Sequence, residues 1–246
     1  MKILLCNDDG IDSGGLKALA DILAAKNQLL IIAPDGNRSC TSHSLTLFKP
    51  VKITESFGFK DCRAYSISGT PADCVKIGFT LFKDFMPDIV IAGINKGHNL
   101  GSDILYSGTV AAAFEGAFSG VTSFAFSAYS HGEHDFSLFA EYADRLVTFL
   151  MPYSAKDTVW NINFPEYGLP VKGVKPCVLG KYVYNDRYVK NDSGEYEIVS
   201  SITEADDIPQ NSDVLMIKQG FITVTPLLLN RTDKNILQLM GTDIKL

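Results

Sequence analysis

The sequence predicts an α/β domain built on a mainly parallel sheet, and three observations carry that prediction. Short continuous apolar runs alternate with helix-length amphipathic segments up to about residue 165, the pattern of strands buried on both faces and joined by helical crossovers. Breaks at Ala33-Pro34-Asp35-Gly36 and Met86-Pro87-Asp88 fall between those segments, where proline ends an element and holds the preceding residue extended. With 246 residues, 46% hydrophobic and 20% charged, the chain carries enough apolar material for one sizeable core.

In order along the chain, strands are expected over residues 2–6, 28–33, 88–92, 122–127 and 158–164, and helices over 15–25, 72–83, 110–119 and 136–151. Residues 46–54 and 64–67 read as extra strands inside the second crossover. Ser68-Gly69-Thr70-Pro71-Ala72-Asp73 places a cap, a first-turn proline and an acid three residues on, a near-complete capping box with a structural role. Beyond Pro165 the regular alternation fades. Residues 181–213 hold eight acidic residues against three basic ones and four tyrosines, with the turn cluster Asn191-Asp192-Ser193-Gly194 between two strand-like runs. That composition predicts a hairpin arm projecting from the core, whose tyrosines serve an oligomer interface or simply cover an exposed hairpin. A short helix over 213–219 and a strand over 221–226 follow. The organisation expected is one domain over 1–246, with a core over 1–165 and the arm and C-terminal extension over 166–246.

Charge and composition exclude several classes. A net charge of -6 argues against long nucleic acid as a partner, since such binding depends on a basic surface. No apolar run approaches the roughly 20 residues of a membrane span. The N-terminus enters a strand without a basic region and a signal-type hydrophobic segment, so a cytoplasmic location is expected. Five scattered cysteines lack metal-finger spacing and suit a reducing compartment, with no disulfide expected. The sequons at Asn37, Asn191 and Asn230 then carry no weight.

The chemistry is expected in the loops that leave the carboxyl ends of the strands, where open parallel sheets bind ligands. Asn7-Asp8-Asp9-Gly10 sets two adjacent carboxylates where the first strand surfaces. Successive side chains on a strand face opposite ways, so Asp8 and Asp9 converge only if the chain turns, which Gly10 permits. Crowded carboxylates raise each other's pKa unless a cation neutralises them, and a hard divalent ion does so with oxygen ligands. An aspartate pair ahead of a helix is also a common cap. Ser39, in Asn37-Arg38-Ser39-Cys40-Thr41-Ser42-His43-Ser44, and Asn95, in Gly93-Ile94-Asn95-Lys96-Gly97-His98-Asn99-Leu100-Gly101, could complete an oxygen-rich shell from the neighbouring loops. Ser107, Gly108 and Thr109 open a helix, where unpaired amides and the helix dipole favour a phosphate; an ordinary Ser or Thr cap reads the same way.

Taken together, Ile3-Leu4-Leu5-Cys6-Asn7-Asp8-Asp9-Gly10, Arg38-Ser39, Ser68-Gly69-Thr70-Pro71-Ala72-Asp73-Cys74, Gly93-Ile94-Asn95 with Gly97, Asn99 and Gly101, and Tyr106-Ser107-Gly108-Thr109-Val110-Ala111-Ala112-Ala113 resemble the SurE family of metal-dependent nucleotidases. Asn161-Ile162-Asn163-Phe164-Pro165 and Ile222-Thr223-Val224-Thr225-Pro226 extend the resemblance almost to the C-terminus. The resemblance implies a Rossmann-like three-layer core and a protruding hairpin that swaps or packs between subunits of a homodimer or homotetramer. It implies one Mg or Mn ion per subunit, held by Asp8, Asp9, Ser39 and Asn95, and a phosphate gripped by Asn99, Ser107, Gly108 and Thr109. The implied activity is that of a phosphomonoesterase on nucleoside 5′- and 3′-monophosphates, with short polyphosphate as a further substrate. The chain departs from the family pattern at Cys40, where Gly or Ala is usual, at Gly14, where proline commonly starts the helix, and at Tyr196 and Glu197 in the arm.

The expected mechanism is hydrolysis by a metal-activated water, with Asp8 or Asp9 orienting the water and the donors at 107–109 stabilising the phosphoryl oxygens. His43 and His98 lie in site loops and are the candidates to protonate the leaving alkoxide. His131-Gly132-Glu133-His134 has the residue types of a ligand pair but the composition of a solvated turn, and no second metal is expected there. Two other readings stand beside this one. Asp8 could be a covalent nucleophile, as in haloacid-dehalogenase-like phosphatases, although that mechanism expects an acid two residues on and position 10 is Gly. A non-catalytic nucleotide sensor would use the same loops and differ in lacking turnover.

Overall fold

The first strand, β1 (Lys2–Cys6), shows how the sequence builds the layers. Its side chains alternate between two apolar environments, as a strand buried on both faces requires. Ile3 and Leu5 pack with Leu16, Leu19 and Leu23 of α1 (Gly14–Ala24), and with Phe139, Ala143 and Leu146 of α4 (Ser137–Leu150). Leu4 and Cys6 face the opposite layer, with Cys74 and Val75 of α2 (Pro71–Leu81) and Ala112 of α3 (Gly108–Phe118). The result is a mostly parallel sheet with helices on both sides, the α/β fold expected. The structure, a computed structural model, describes residues 1–129 and 135–240.

Among the described residues the main sheet has nine strands in the order β3-β4-β2-β1-β5-β6-β7-β11-β8. They are β2 (Gln28–Pro34), β3 (Ile53–Glu55), β4 (Arg63–Ile67), β5 (Ile89–Lys96), β6 (Thr122–Ala128), β7 (Val159–Phe164), β8 (Val174–Pro176) and β11 (Ile222–Leu227) beside β1. The centre is parallel: Leu4 pairs with Leu30 of β2 on one side and with Val90 of β5 on the other. Two pairings are antiparallel, β3 with β4 and β7 with β11. The chain leaves β1 towards β2 and later returns to its other side as β5, so the order reverses at β1. Ligand sites of open α/β sheets form at such a reversal, outside the carboxyl ends of the strands.

The expected strands and helices of the core are present, β1 with the bounds expected and the others shifted by up to four residues. One expectation is corrected: residues 46–52 are irregular, and only Ile53–Glu55 forms a strand. Pro50 has no amide to give a ladder, and the Thr46 amide is taken by the Asp73 carboxylate at 3.1 Å. The hairpin arm is present as β9 (Tyr182–Lys190) and β10 (Tyr196–Glu204), a separate antiparallel pair joined at the predicted turn. The short helix is α5 (Asp213–Lys218), and a further helix, α6 (Lys234–Met240), follows β11. The His131-Gly132-Glu133-His134 stretch lies outside the described residues.

Candidate active site

The turn after β1 is held by its own asparagine. Asn7 donates from Nδ2 to the Gly10 carbonyl at 3.0 Å and to Ser13 Oγ at 2.6 Å, while its Oδ1 accepts from the Gly10 amide at 3.2 Å. Gly10 sits at φ 106°, the left-handed region that glycine tolerates, so the chain turns where the sequence places its glycine. Asp8 is thereby turned under the sheet edge and is 4% exposed, while Asp9 is half-buried. The Oδ2 of Asp9 accepts from the Lys96 amide at 2.9 Å, which fixes it beside the end of β5.

Helix α3 begins directly against Asp8. Its cap, Ser107, accepts from the Val110 amide at 3.0 Å. Thr109, fully buried, donates its hydroxyl to Asp8 Oδ1. A Cβ on Gly108 would lie 2.9 Å from the Cβ of Asp8 and 3.0 Å from Pro71 Cγ, so only glycine lets the helix approach this closely. Burial pushes the Asp8 carboxyl up to about 6; the Thr109 hydroxyl opposes that rise and the neighbouring Asp9 adds to it. Burial also raises Asp9, against the Lys96 amide, which favours its charged form.

Asp8, Ser39, Asn95 and Ser107 line one pocket of about 630 Å³, with Cys40, Lys96, His98, Asp103 and Tyr106. Residues 37–46 are brought there by several ties: Arg38 donates its amide to the Asp8 carbonyl at 2.7 Å, Ser42 its amide to Tyr106 at 3.0 Å, and Thr70 its hydroxyl to Ser44 at 2.7 Å. The capping box is confirmed, with Thr70 Oγ1 accepting from Asp73 and Asp73 Oδ2 from Thr70. It also anchors this loop. Cys40 adopts φ 57°, a left-handed conformation that favours glycine.

Of the other predicted phosphate contacts, Asn99, Gly108 and Thr109 lie behind the pocket wall. Asn99 is buried, donating from Nδ2 to Ser127 Oγ at 2.8 Å and from its amide to Asn163 Oδ1 at 2.8 Å. The two histidines separate. His43 Nε2 lies 2.9 Å from Oε2 of the buried Glu115, whose Oε1 accepts from Lys76 Nζ at 2.5 Å, and it does not line the pocket. His98 does line it, with Nε2 2.8 Å from the Phe164 carbonyl. A carbonyl only accepts, so Nε2 carries the proton and Nδ1 is left as an acceptor. Burial lowers the His98 pKa, which keeps the ring neutral.

Sequence reasoning passed over Lys96, Asp103 and the arm residues Tyr184, Asp186, Ile198 and Ser200, which complete the lining. Asp103 falls in a 3₁₀ turn (Gly101–Leu105) whose glycine-rich lead had no helical periodicity to mark it. Burial raises Asp103, and the Tyr184 hydroxyl, which donates to its Oδ1, opposes that rise.

A metal is implied by the resemblance, and the donors fit one. Among the described residues no group of three or more His, Cys, Asp or Glu side chains is placed to hold an ion. The donors lining the pocket are the Asp8 carboxylate, the Ser39 hydroxyl and the Oδ1 that Asn95 keeps when its Nδ2 donates to Gly97 at 2.9 Å, while Asp9, the next residue to Asp8, is not among the lining residues. An all-oxygen set suits a hard cation such as Mg or Mn, and a buried carboxylate beside a second one is the arrangement a cation relieves.

Comparisons with known proteins place the whole chain. The family model for "Survival protein SurE" matches residues 3–186. The chain is 36% identical over 252 residues to a 5′-nucleotidase SurE of Thermoanaerobacter sp. (strain X514), covering 100% of both chains. It is 40% identical over 245 residues to a 5′-nucleotidase SurE of Clostridium botulinum (strain ATCC 19397 / Type A), covering 97% of each. The crystal structure of the SurE protein from Aquifex aeolicus superposes with a TM-score of 0.82 at 33% identity, over 98% of each chain. The matched stretch contains the Asp8-Asp9 turn, the Ser39 and Asn95 loops and the start of α3, and the chain belongs to the SurE family.

Proposed function

We propose that this protein is a metal-dependent 5′-nucleotidase that hydrolyses nucleoside monophosphates, at the 5′ and 3′ positions, to nucleoside and phosphate. The observation that carries the reading is the meeting of Asp8, Ser39, Asn95 and Ser107 in one pocket at the reversal point of the sheet. Family membership and the 5′-nucleotidase relatives support the phosphoric monoester hydrolase activity.

Asp8, Asp9, Ser39 and Asn95 would hold one Mg or Mn ion. When bound, that ion supplies Lewis acidity at a phosphoryl oxygen and makes a neighbouring water more acidic. The residues of the chain do the rest. Thr109 fixes Oδ1 of Asp8, which leaves Oδ2 for the ion, and Asp8 or Asp9 would orient the attacking water. Ser107, which lines the pocket at the start of α3, would face the phosphoryl oxygens as charge builds on them. Asn99 fixes the loop beneath, and His98, neutral with Nδ1 unprotonated, accepts a hydrogen bond in the pocket.

No helix among the described residues is long and apolar enough to cross a membrane. All five cysteines are free, which suits the cytoplasm. The exposed Tyr188, Tyr196 and Val199 of the arm suit a homodimer or homotetramer. Phosphate release from a panel of nucleoside monophosphates, with Mg, Mn or a chelator, tests the activity. Tight nucleotide binding without turnover would instead mark a sensor.

A further inference from the structure

Glu115 is a buried carboxylate that the chemistry above leaves unused. It lies on α3, six residues beyond Thr109, which is about 9 Å along the helix axis. Its Oε1 accepts from Lys76 Nζ of α2 at 2.5 Å, and its Oε2 lies 2.9 Å from Nε2 of His43. Burial would raise this carboxyl, but those two hydrogen bonds hold it below the usual glutamate range, so it is charged at neutral pH. A carboxylate only accepts, and Nε2 of His43 therefore carries the proton. The His43 ring also meets Phe118 of α3, with 5.8 Å between ring centroids.

His43 belongs to the loop that carries Ser39, four residues earlier, and that loop is bent in a way its own residues disfavour. Cys40 and Ser42 adopt φ 57° and 52°, in the left-handed region that a side chain makes costly. Ties to the core hold the bend. Ser42 donates its amide to Tyr106 and its hydroxyl to Leu105, each to a carbonyl at 3.0 Å. The His43 bond that follows ends on a buried charge, which makes it stronger than a bond between neutral groups. Helix α3 thus grips the site twice: Thr109 fixes Asp8, and Glu115 fixes the Ser39 loop. We infer that Glu115 and His43 are positioning residues of the metal centre, holding the loop so that the Ser39 hydroxyl meets the cation seated by Asp8. Neither touches substrate. The pair acts through Ser39, so losing it weakens metal affinity while the fold persists. This inference rests on the metal-dependent reading of the site.

The test is calorimetric titration with Mn, beside thermal unfolding of the same samples, on wild type, His43→Phe, His43→Ala, His43→Gln and Ser39→Ala, with the two donor-free changes repeated in the Ser39→Ala background. His43→Phe keeps a ring beside Phe118 and removes the donor, His43→Ala removes both, and His43→Gln keeps a donor towards Glu115. Mn affinity should fall about tenfold in His43→Phe and His43→Ala, and by less than about threefold in His43→Gln. In the Ser39→Ala background, itself weaker for Mn, the same changes should alter affinity by less than about twofold, because their effect travels through Ser39. Should His43→Phe not fold, His43→Ala carries the same comparison. Wild-type affinity in the donor-free variants, or an equal loss in both Ser39 backgrounds, would overturn the inference and leave the metal reading standing. No Mn bound by wild type would remove both.

Discussion

Thr109 donates its hydroxyl to the Oδ1 of Asp8, joining the start of α3 to the turn after β1 across 101 positions of sequence. Both groups are buried, so the bond fixes which way the carboxylate faces. Thr109→Val keeps the shape and removes the donor. Partners that orient a metal ligand typically contribute about 10–100-fold to metal affinity or activity, and a loss of that size is expected in Mn affinity by calorimetric titration. Thr109→Ser should retain most of the affinity.

Gly108→Ala tests the closeness of the helix to the floor. The added methyl meets Asp8 and Pro71 at about 3 Å, inside normal contact. Relief requires the helix or the carboxylate to move, at a cost of about 1–3 kcal/mol. Activity at saturating Mn should fall at least tenfold while the circular dichroism spectrum stays that of the wild type.

Glu115 joins α2, α3 and the Ser39 loop through Lys76 and His43. Burial would raise its carboxyl, but the hydrogen bonds from His43 and Lys76 outweigh burial and hold it below the usual glutamate range. A carboxylate whose folded pKa is depressed stabilises the protein above its unfolded pKa and loses that contribution as pH falls through the folded value. Glu115→Gln should cost about 1–2 kcal/mol at neutral pH, its partners being partly solvated. That corresponds to a fall in Tm of about 5 °C for a domain of this size. The gap between wild type and variant should close in acid, below the ordinary glutamate range, as read by thermal unfolding across pH.

Cys40 adopts a backbone conformation that costs a side chain about 1–2 kcal/mol. Part of that gain is lost to the greater freedom of glycine in the unfolded chain. Cys40→Gly should therefore leave stability unchanged or raise it by up to about 1 kcal/mol in chemical denaturation.

The elements that carry the site were legible because their signals are local. The apolar run before Asn7, the glycine at position 10 and the proline after Thr70 each dictate a backbone choice within a few residues, and β1, its turn and α2 appear where they indicate. The contacts that finish the site are not local. Nothing near Thr109 distinguishes a hydroxyl aimed at phosphate from one aimed at Asp8, because the distinction depends on how closely α3 packs on β1. His43 was drawn to the site by its loop, yet Glu115, 72 positions later, holds it away. The arm was recognised as a hairpin from its turn and alternation, but its face towards Asp103 depends on how the hairpin is anchored to the core.

The central claim, a metal-dependent nucleotidase centred on Asp8 and Asp9, is tested most directly by measuring phosphate release from nucleoside 5′- and 3′-monophosphates by wild type and Asp9→Asn, with Mn, Mg or chelator. The account predicts turnover by wild type that is abolished by chelator and restored by added metal, and a loss of at least about 100-fold in Asp9→Asn. Turnover that survives chelation, or that Asp9→Asn leaves at the wild-type level, would contradict it.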